Sequence, residues 1–434
     1  ILRGGRPLEG EVALRGAKNA LPKIMVAALL TGERCILRNV SQIVDVVIVS
    51  DLIRALGGVV ESPESGVLEI CTANLHPMER SVLREFSGKS RIPILTCGPL
   101  LARLGAAPVP SLGGCRIGTR PVDFHIRALQ DMGATLHDES NNALLTCEKL
   151  YGNKIRLEYP SVGATEQVIL AAVRAEGVTE LSNAAMEPDI MDLIMVLQKM
   201  GAIISVDVDR VITIVGVKQL KGFDHTTMPD RLEAASWASA AIATNGRIFV
   251  RNARQVDMMT FLNRYRQIGG DFSVTDDGIE FWRASGKLRS TALETDVHPG
   301  FTTDYQQPFV IALTQATRKI PVQYAKQVVG NKLYGGKRDF IPLKLNSAGV
   351  MPIIFAQALM FIPATVYSYL SGSNQSTGRI HMFNDIYSFG YNIVFFILVV
   401  VFTYVYTALM INPTNYAEYL KRSNAFIPGV KPGE

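Results

Sequence analysis

Residues 345–378 and 386–417 contain no Asp, Glu, Lys or Arg, and no earlier stretch of comparable length shares that property. Each supplies the ~20 apolar residues with which a helix crosses ~30 Å of hydrocarbon. Residues 1–316, by contrast, mix charge with short apolar runs, as a water-soluble α/β chain does. One polypeptide therefore implies two solvents.

Charge changes over the same boundary. Of the 44 basic and 39 acidic residues, 11 and 4 lie from Thr317 onward, so the tail carries net +7 and the front net −2. That basicity points to a membrane surface or a ribosomal contact at the tail and gives no support to nucleic-acid binding by the front. A length of 434 residues corresponds to about three domains. The five cysteines, Cys35, Cys71, Cys97, Cys115 and Cys147, show no CxxC spacing and all lie in the first third, which fits a reducing cytoplasm. Residue 1 is Ile and no leader of charged, apolar and then small residues precedes the first repeat, so the natural start is expected upstream.

Within residues 1–316 one phrase recurs: a β-branched strand ending in Asn, a polar turn, an amphipathic helix, a Gly-Ala or Gly-Gly stop, then two short strands. Arg34-Cys-Ile-Leu-Arg-Asn39 leads to Ala55-Leu-Gly-Gly58, Val178-Thr-Glu-Leu-Ser-Asn183 to Lys199-Met-Gly-Ala202, and Arg247-Ile-Phe-Val-Arg-Asn252 to Gln267-Ile-Gly-Gly270; a further copy runs from Arg116 through Met132-Gly-Ala134. Apolar residues at helical spacing, such as Ile190, Leu193, Ile194 and Leu197, mark the helices, and the glycines suit a left-handed stop. A period of roughly 60–70 residues is too long for a common solenoid and fits a small βαβ-type unit. Several such units would bury their helices and turn their sheets outward; an ordinary open α/β sheet is the alternative.

Chemistry-bearing residues concentrate in few places. Lys18, in Gly16-Ala-Lys-Asn-Ala20, precedes the apolar helix from Leu21, where an anion is favoured; a solvated surface lysine is the commoner reading. Gly113-Gly-Cys-Arg-Ile-Gly-Thr-Arg-Pro-Val-Asp123 sets one thiol, Cys115, between Arg116 and Arg120, which would favour a thiolate and attract an anionic substrate, unless Cys115 is only a small buried hydrophobe. Asp304 after His298-Pro-Gly-Phe-Thr-Thr303 suits a general base or the N-cap of the helix that follows, and Asp230 after Pro229 suits helix initiation. No metal-ligand cluster, Ser/His/Asp order or dinucleotide loop is evident, so neither a metal nor a cofactor is expected.

These residues carry a family resemblance. Gly-Ala-Lys18-Asn19-Ala, Cys97-Gly-Pro-Leu-Leu-Ala-Arg103, Gly-Gly-Cys115, Gly-Thr-Arg120-Pro-Val-Asp123, Ser161-Val-Gly-Ala-Thr165, Glu187-Pro, Pro229-Asp-Arg231 and His298-Pro-Gly-Phe-Thr-Thr-Asp304 resemble the UDP-N-acetylglucosamine enolpyruvyl transferases of peptidoglycan synthesis. The resemblance implies an inside-out α/β barrel of repeated βαβ-type units, with residues 18–228 as a first domain and residues 1–17 plus 229–316 as an incomplete second one. Phosphoenolpyruvate and UDP-N-acetylglucosamine would be the substrates, joined by addition and elimination with loss of phosphate. Lys18 and Arg120 would bind the phosphoenolpyruvate phosphate, with Arg91 nearby. Cys115 would act as general acid or covalent partner and be the fosfomycin target, while Asp304 would take the proton of the sugar hydroxyl. Asn19, Arg120, Pro121, Val122, Asp123, Ser161, Val162 and Gly163 would hold the nucleotide sugar. Tyr159 departs from the family, which often has a lysine there. The resemblance stops at Ala316, so the unit that completes the anion site is expected to be missing and turnover to be weak.

The tail has its own likeness. Arg318-Lys-Ile-Pro-Val-Gln-Tyr-Ala-Lys326, Ile341-Pro-Leu-Lys-Leu-Asn-Ser-Ala-Gly-Val-Met-Pro-Ile-Ile-Phe-Ala356, Asn412-Pro and Phe426-Ile-Pro-Gly-Val-Lys-Pro-Gly-Glu434 resemble a middle part of SecY, the channel subunit of the Sec translocon. Residues 317–344 would be a basic, exposed cytoplasmic loop. Residues 345–434 would hold a helical transmembrane hairpin in the inner membrane with both ends cytoplasmic, since seven basic residues lie between Arg318 and Lys344 and three more follow the second span. Translocon or ribosome partners belong to that part alone. The chain is expected to join two truncated, unrelated proteins through an assembly or gene-model error; a membrane-tethered transferase is the second reading and a translocon fragment the third.

Overall fold

The computed structural model describes residues 6–77, 86, 88–110, 122–139, 142–284 and 288–314, and, further on, 317–324, 327–329, 332–334, 338–344, 352–360, 389–410 and six positions between 417 and 426. The chain divides into two compact units, Ile1–Ile311 and Ala312–Glu434.

In the first unit the recurring phrase is a recurring sheet. Its strands are β1 (Glu9–Ala13), β2 (Cys35–Arg38), β3 (Val59–Glu61), β4 (Val67–Cys71), β5 (Ala106–Pro108), β6 (Thr135–Glu139), β7 (Asn142–Thr146), β8 (Lys154–Arg156), β9 (Val178–Ser182), β10 (Ile203–Asp207), β11 (Val211–Val215), β12 (Asp224–Thr226), β13 (Arg247–Arg251), β14 (Gly270–Thr275) and β15 (Gly278–Arg283). Three four-stranded sheets have one pattern, β12-β2-β4-β3, β8-β9-β11-β10 and β1-β13-β15-β14. In each, the strand that ends in Asn runs parallel to one neighbour and antiparallel to the other. A fourth sheet, β5-β7-β6, is antiparallel throughout. Several small sheets, rather than one open sheet, therefore build this unit.

The Asn that closes each phrase takes the left-handed conformation, with φ of 59° at Asn39, 56° at Asn183 and 66° at Asn252. Its short side chain tolerates that region, and its amide fastens the turn to a neighbouring segment: Asn39 Nδ2 donates to the Thr227 carbonyl at 3.1 Å and Asn183 Nδ2 to that of Leu157 at 2.8 Å. The helices end as their glycines direct, at φ +88° for Gly57 and +99° for Gly201.

The helices turn apolar faces inward, as the repeat implies, and the most apolar of them are almost wholly interior. They are α1 (Leu21–Ala27), α2 (Val44–Ala55), α3 (Cys97–Leu104), α4 (Asp123–Asp131), α5 (Val162–Ala172), α6 (Pro188–Lys199), α7 (Arg231–Thr244), α8 (Met259–Gln267) and α9 (Gln306–Thr314). Every residue of α1, and of α5 from Ala164 onward, is buried. Each buried Leu or Ile contributes about 1.5–3 kcal/mol relative to exposure. Close packing of α3 on α5 needs Gly98, where a Cβ would stand 2.7 Å from Gln167 Nε2 and 3.1 Å from the Ala171 Cβ. A separate aromatic core of Phe261, Tyr265, Phe281, Phe301, Tyr305 and Phe309 fills the sheet of β1 and β13–β15, with neighbouring ring centroids 5.1–6.1 Å apart.

In the second unit the stretch expected to be a basic loop contains paired strands, a local structure that the sequence reading did not anticipate. Here β16 (Thr317–Tyr324) pairs antiparallel with β19 (Arg338–Lys344), β17 (Gln327–Val329) with β18 (Lys332–Tyr334), and β20 (Ala425–Phe426) adds to β16. The reading gave weight to the basic residues, whereas Ile320, Val322, Phe340 and Ile341 give both segments strand propensity and put Ile320 opposite Ile341. Of the two expected spans, the second forms α11 (Phe389–Met410), and its Gly390–Leu409 portion, mean hydropathy 2.2 and with no buried share, is long and apolar enough to cross a membrane. The first expected span lies mostly outside the described residues; of it, residues 352–360 form a helix, α10, whose Phe355 ring meets Phe402 and Tyr406 of α11 at 5.9 and 5.6 Å.

Candidate active site

The turn before α1 is stitched to a distant segment through its backbone. Gly16 N–H donates to the Asn39 carbonyl at 3.0 Å, Ala17 N–H to that of Met228 at 2.8 Å and Lys18 N–H to Asp230 Oδ2 at 2.9 Å. Only glycine fits at position 16, since a Cβ would stand 2.2 Å from the Asn39 oxygen. Lys18 is thus held by its backbone while its side chain stays exposed. Asp230 also caps α7, Oδ1 accepting from Leu232 N–H at 2.8 Å and Glu233 N–H at 3.2 Å, as its place after Pro229 suggests. Such a cap contributes about 1 kcal/mol.

Asn19 Nδ2 donates to Asp304 Oδ2 at 3.3 Å, joining the two segments the sequence singled out. Asp304 is not the N-cap of its helix. Thr302 takes that role, its Oγ1 accepting from Asp304 N–H at 3.2 Å, which leaves the exposed Asp304 carboxylate free to meet Asn19.

Ser161 caps α5, its Oγ accepting from Ala164 N–H at 3.4 Å. The next turn, Val162 and Gly163, lies against α4: a Cβ on Gly163 would stand 2.9 Å from His125 Cε1. Burial draws the His125 pKa down to about 4, so this imidazole is neutral at physiological pH, and its Nδ1 has no partner. Asp123 opens α4 exposed, with Val122 half-buried before it, and Arg91 is exposed ahead of the short 3-10 turn Ile92–Thr96. Cys115, Arg116, Arg120 and Pro121 lie outside the described residues. Among the described residues no group of three or more His, Cys, Asp or Glu is placed to hold a metal ion.

A buried charge cluster that the sequence reading did not assemble stands behind these residues. Arg231, 4% exposed, donates through Nη2 to Asp189 Oδ2 at 3.0 Å and through Nη1 to the Tyr305 hydroxyl at 3.1 Å. Burial alone would lower its pKa, but Asp189 and Tyr305 outweigh burial and raise it, so the guanidinium stays charged. Burial raises the pKa of Glu187. Arg210 Nη2 donates to the His298 carbonyl at 2.7 Å. The sequence had offered its parts separately, in the motifs Glu187-Pro, Pro229-Asp-Arg231 and His298-Pro-Gly.

A helix-cored protein built from such sheet units, with a Lys-Asn turn locked against an aspartate, has the architecture of the enolpyruvyl transferases. Residues 2–320 match the family model of EPSP synthase (3-phosphoshikimate 1-carboxyvinyltransferase), and the chain belongs to that family. It is 47% identical over 323 residues to the UDP-N-acetylglucosamine 1-carboxyvinyltransferase of Protochlamydia amoebophila, covering 73% of this chain and 69% of that protein. To the Chlamydia abortus protein of the same name it is 48% identical over 316 residues, covering 72% and 71%. Among solved structures it is similar to the enolpyruvyl transferase NikO from Streptomyces tendae (TM-score 0.64, 20% identity, 74% of this chain and 76% of that one) and to EPSP synthase from Acinetobacter baumannii (TM-score 0.59, 17% identity, 74% of each). Residues 306–434 match the family model of SecY.

Proposed function

We propose that residues 1–316 carry enolpyruvyl transfer from phosphoenolpyruvate to UDP-N-acetylglucosamine, the first step of peptidoglycan synthesis. The observation that carries this reading is the Asn19–Asp304 pair beside the anchored Lys18, in a chain 46–48% identical to enzymes of that name. Asp304 takes the proton of the sugar hydroxyl as the hydroxyl oxygen bonds to C2 of phosphoenolpyruvate, Cys115 gives a proton to the methylene carbon, and loss of phosphate from C2 together with a proton from the resulting C3 methyl restores the double bond. Lys18 and Arg120, with Arg91 nearby, hold the phosphate. Asn19, Arg120 to Asp123 and Ser161 to Gly163 hold the nucleotide sugar, and fosfomycin would alkylate Cys115. Residues 18–228 form the nucleotide-sugar domain on this reading, and residues 1–17 with 229–316 form the part that closes on it.

Because the family match stops at residue 320, affinity is a cleaner readout than turnover. Calorimetric titration of the full chain with UDP-N-acetylglucosamine is expected to show saturable binding that Asn19→Ala weakens about tenfold, the scale of a lost hydrogen bond to a charged or buried partner. Equal affinity for UDP alone would overturn the sugar assignment.

For residues 345–434 we propose a SecY-like membrane segment with both ends cytoplasmic, supported by the apolar α11 and the basic residues on either side. The two family matches overlap at residues 306–320, which supports a join of unrelated sequences. Amplification of genomic DNA across the codons for Ala316 and Thr317 is expected to yield no single product; a product of the expected length would instead support a membrane-tethered transferase.

A further inference from the structure

We propose that the buried Lys23–Glu166 pair is a positioning device for the nucleotide-sugar site, fastening the Asn19 turn to the helix that opens at Ser161. The proposal rests on the reading of that site given above and concerns residues that reading leaves unassigned. Lys23 is the one charged residue of the apolar α1, and Glu166 the one charged residue of α5. Their side chains are 11% and 2% exposed, with Lys23 Nζ 3.5 Å from Glu166 Oε1. The same ammonium donates to the backbone carbonyl of Asn19, one helical turn earlier.

A continuous path follows. Asp304 meets the Asn19 amide, the Asn19 carbonyl accepts from Lys23, Lys23 pairs with Glu166, and Glu166 lies just over one turn along the helix that Ser161 caps. Two segments assigned to the nucleotide sugar and the carboxylate assigned to its hydroxyl are thereby linked.

Stability does not account for the pair. Joint replacement of buried opposite charges by apolar side chains of similar size is often neutral or stabilising. Its charge state is also tunable. Burial, with Asp189 and Glu187 adding to it and Lys23 opposing it, pushes the Glu166 carboxyl up to about 7. Lys23 faces it from α1, and Glu187 and Asp189 from the start of α6; on α4, the neutral His125 lies near Gly163, one turn away. Above that pH the carboxylate anchors Lys23, and below it a neutral acid holds the ammonium more weakly.

Titration of the full chain with UDP-N-acetylglucosamine between pH 6 and 8.5 is expected to show affinity rising severalfold through about pH 7. Single replacements leave one buried group unpaired and can impair folding, so the decisive variant is Lys23→Met with Glu166→Leu together. It is expected to fold and to bind severalfold more weakly without the pH dependence, and its backbone amides at residues 17–21 should exchange faster in the absence of ligand. Wild-type affinity and pH profile in that variant, or unchanged exchange at those amides, overturns the proposal. Faster exchange in a protein that binds no UDP-N-acetylglucosamine in any form keeps the positioning device and overturns the substrate reading alone.

Discussion

Arg231→Met is expected to destabilise the Ile1–Ile311 unit by about 3–5 kcal/mol, the cost of breaking a buried ion pair from one side. Asp189 is 4% exposed, and removal of Arg231 leaves its carboxylate without its cation. The Tyr305 ring, 5.5 Å from the guanidinium centre, loses a cation against its face as well. Both tryptophans of the chain, Trp237 and Trp282, lie in this unit, so urea unfolding followed by their fluorescence reports on it directly. Adding Asp189→Leu should recover most of the loss, because it removes the stranded charge. A shift in the single variant below about 1 kcal/mol would show that water already screens the pair.

At neutral pH, Cys115 is expected to react with iodoacetamide at least about a hundredfold faster than Cys35 or Cys97. Burial pushes both of those thiols up to about 12, which lowers their thiolate fraction on the order of a thousandfold relative to an ordinary thiol. Burial also raises the pKa of Cys147. Cys71 is the informative competitor: it is half-buried, with its Sγ 3.6 Å from the Gly32 carbonyl. Cys115 has Arg116 beside it in sequence and Arg120 four residues beyond that, and cationic neighbours favour the thiolate. Peptide mass analysis after brief labelling of folded protein decides the order, and labelling of Cys71 or Cys147 as fast as Cys115 would sink the expectation.

Local chemistry made much of the first unit legible. The Asn that closes each strand phrase and the Gly that ends each helix take left-handed conformations that their own small side chains permit, so the repeat could be read without knowing what packs on it. Asp230 was legible for the same reason, its capping bonds reaching only Leu232 and Glu233. For Asp304 the sequence left base and cap both open, because a carboxylate before a helix suits either, and only the neighbouring Thr302 hydroxyl, by taking the capping bond, frees it for Asn19. The strands at Thr317–Tyr324 and Arg338–Lys344 were missed because each becomes a strand only by pairing with the other.

Composition and local pattern by themselves separated a mixed-charge front from a long apolar stretch in the tail, and showed that the front is built from repeated βαβ-type units, since transfer free energies and turn preferences belong to residues and short windows. Tertiary structure alone decided which charges are buried together. Lys23 in α1 and Arg231 at the start of α7 have the same local sequence whether they meet water or a carboxylate, and their partners Glu166 and Asp189 are supplied by the packing of helices far apart in the chain. Attraction between charges depends on distance and on the exclusion of water, and both arise only when the helices close on one another.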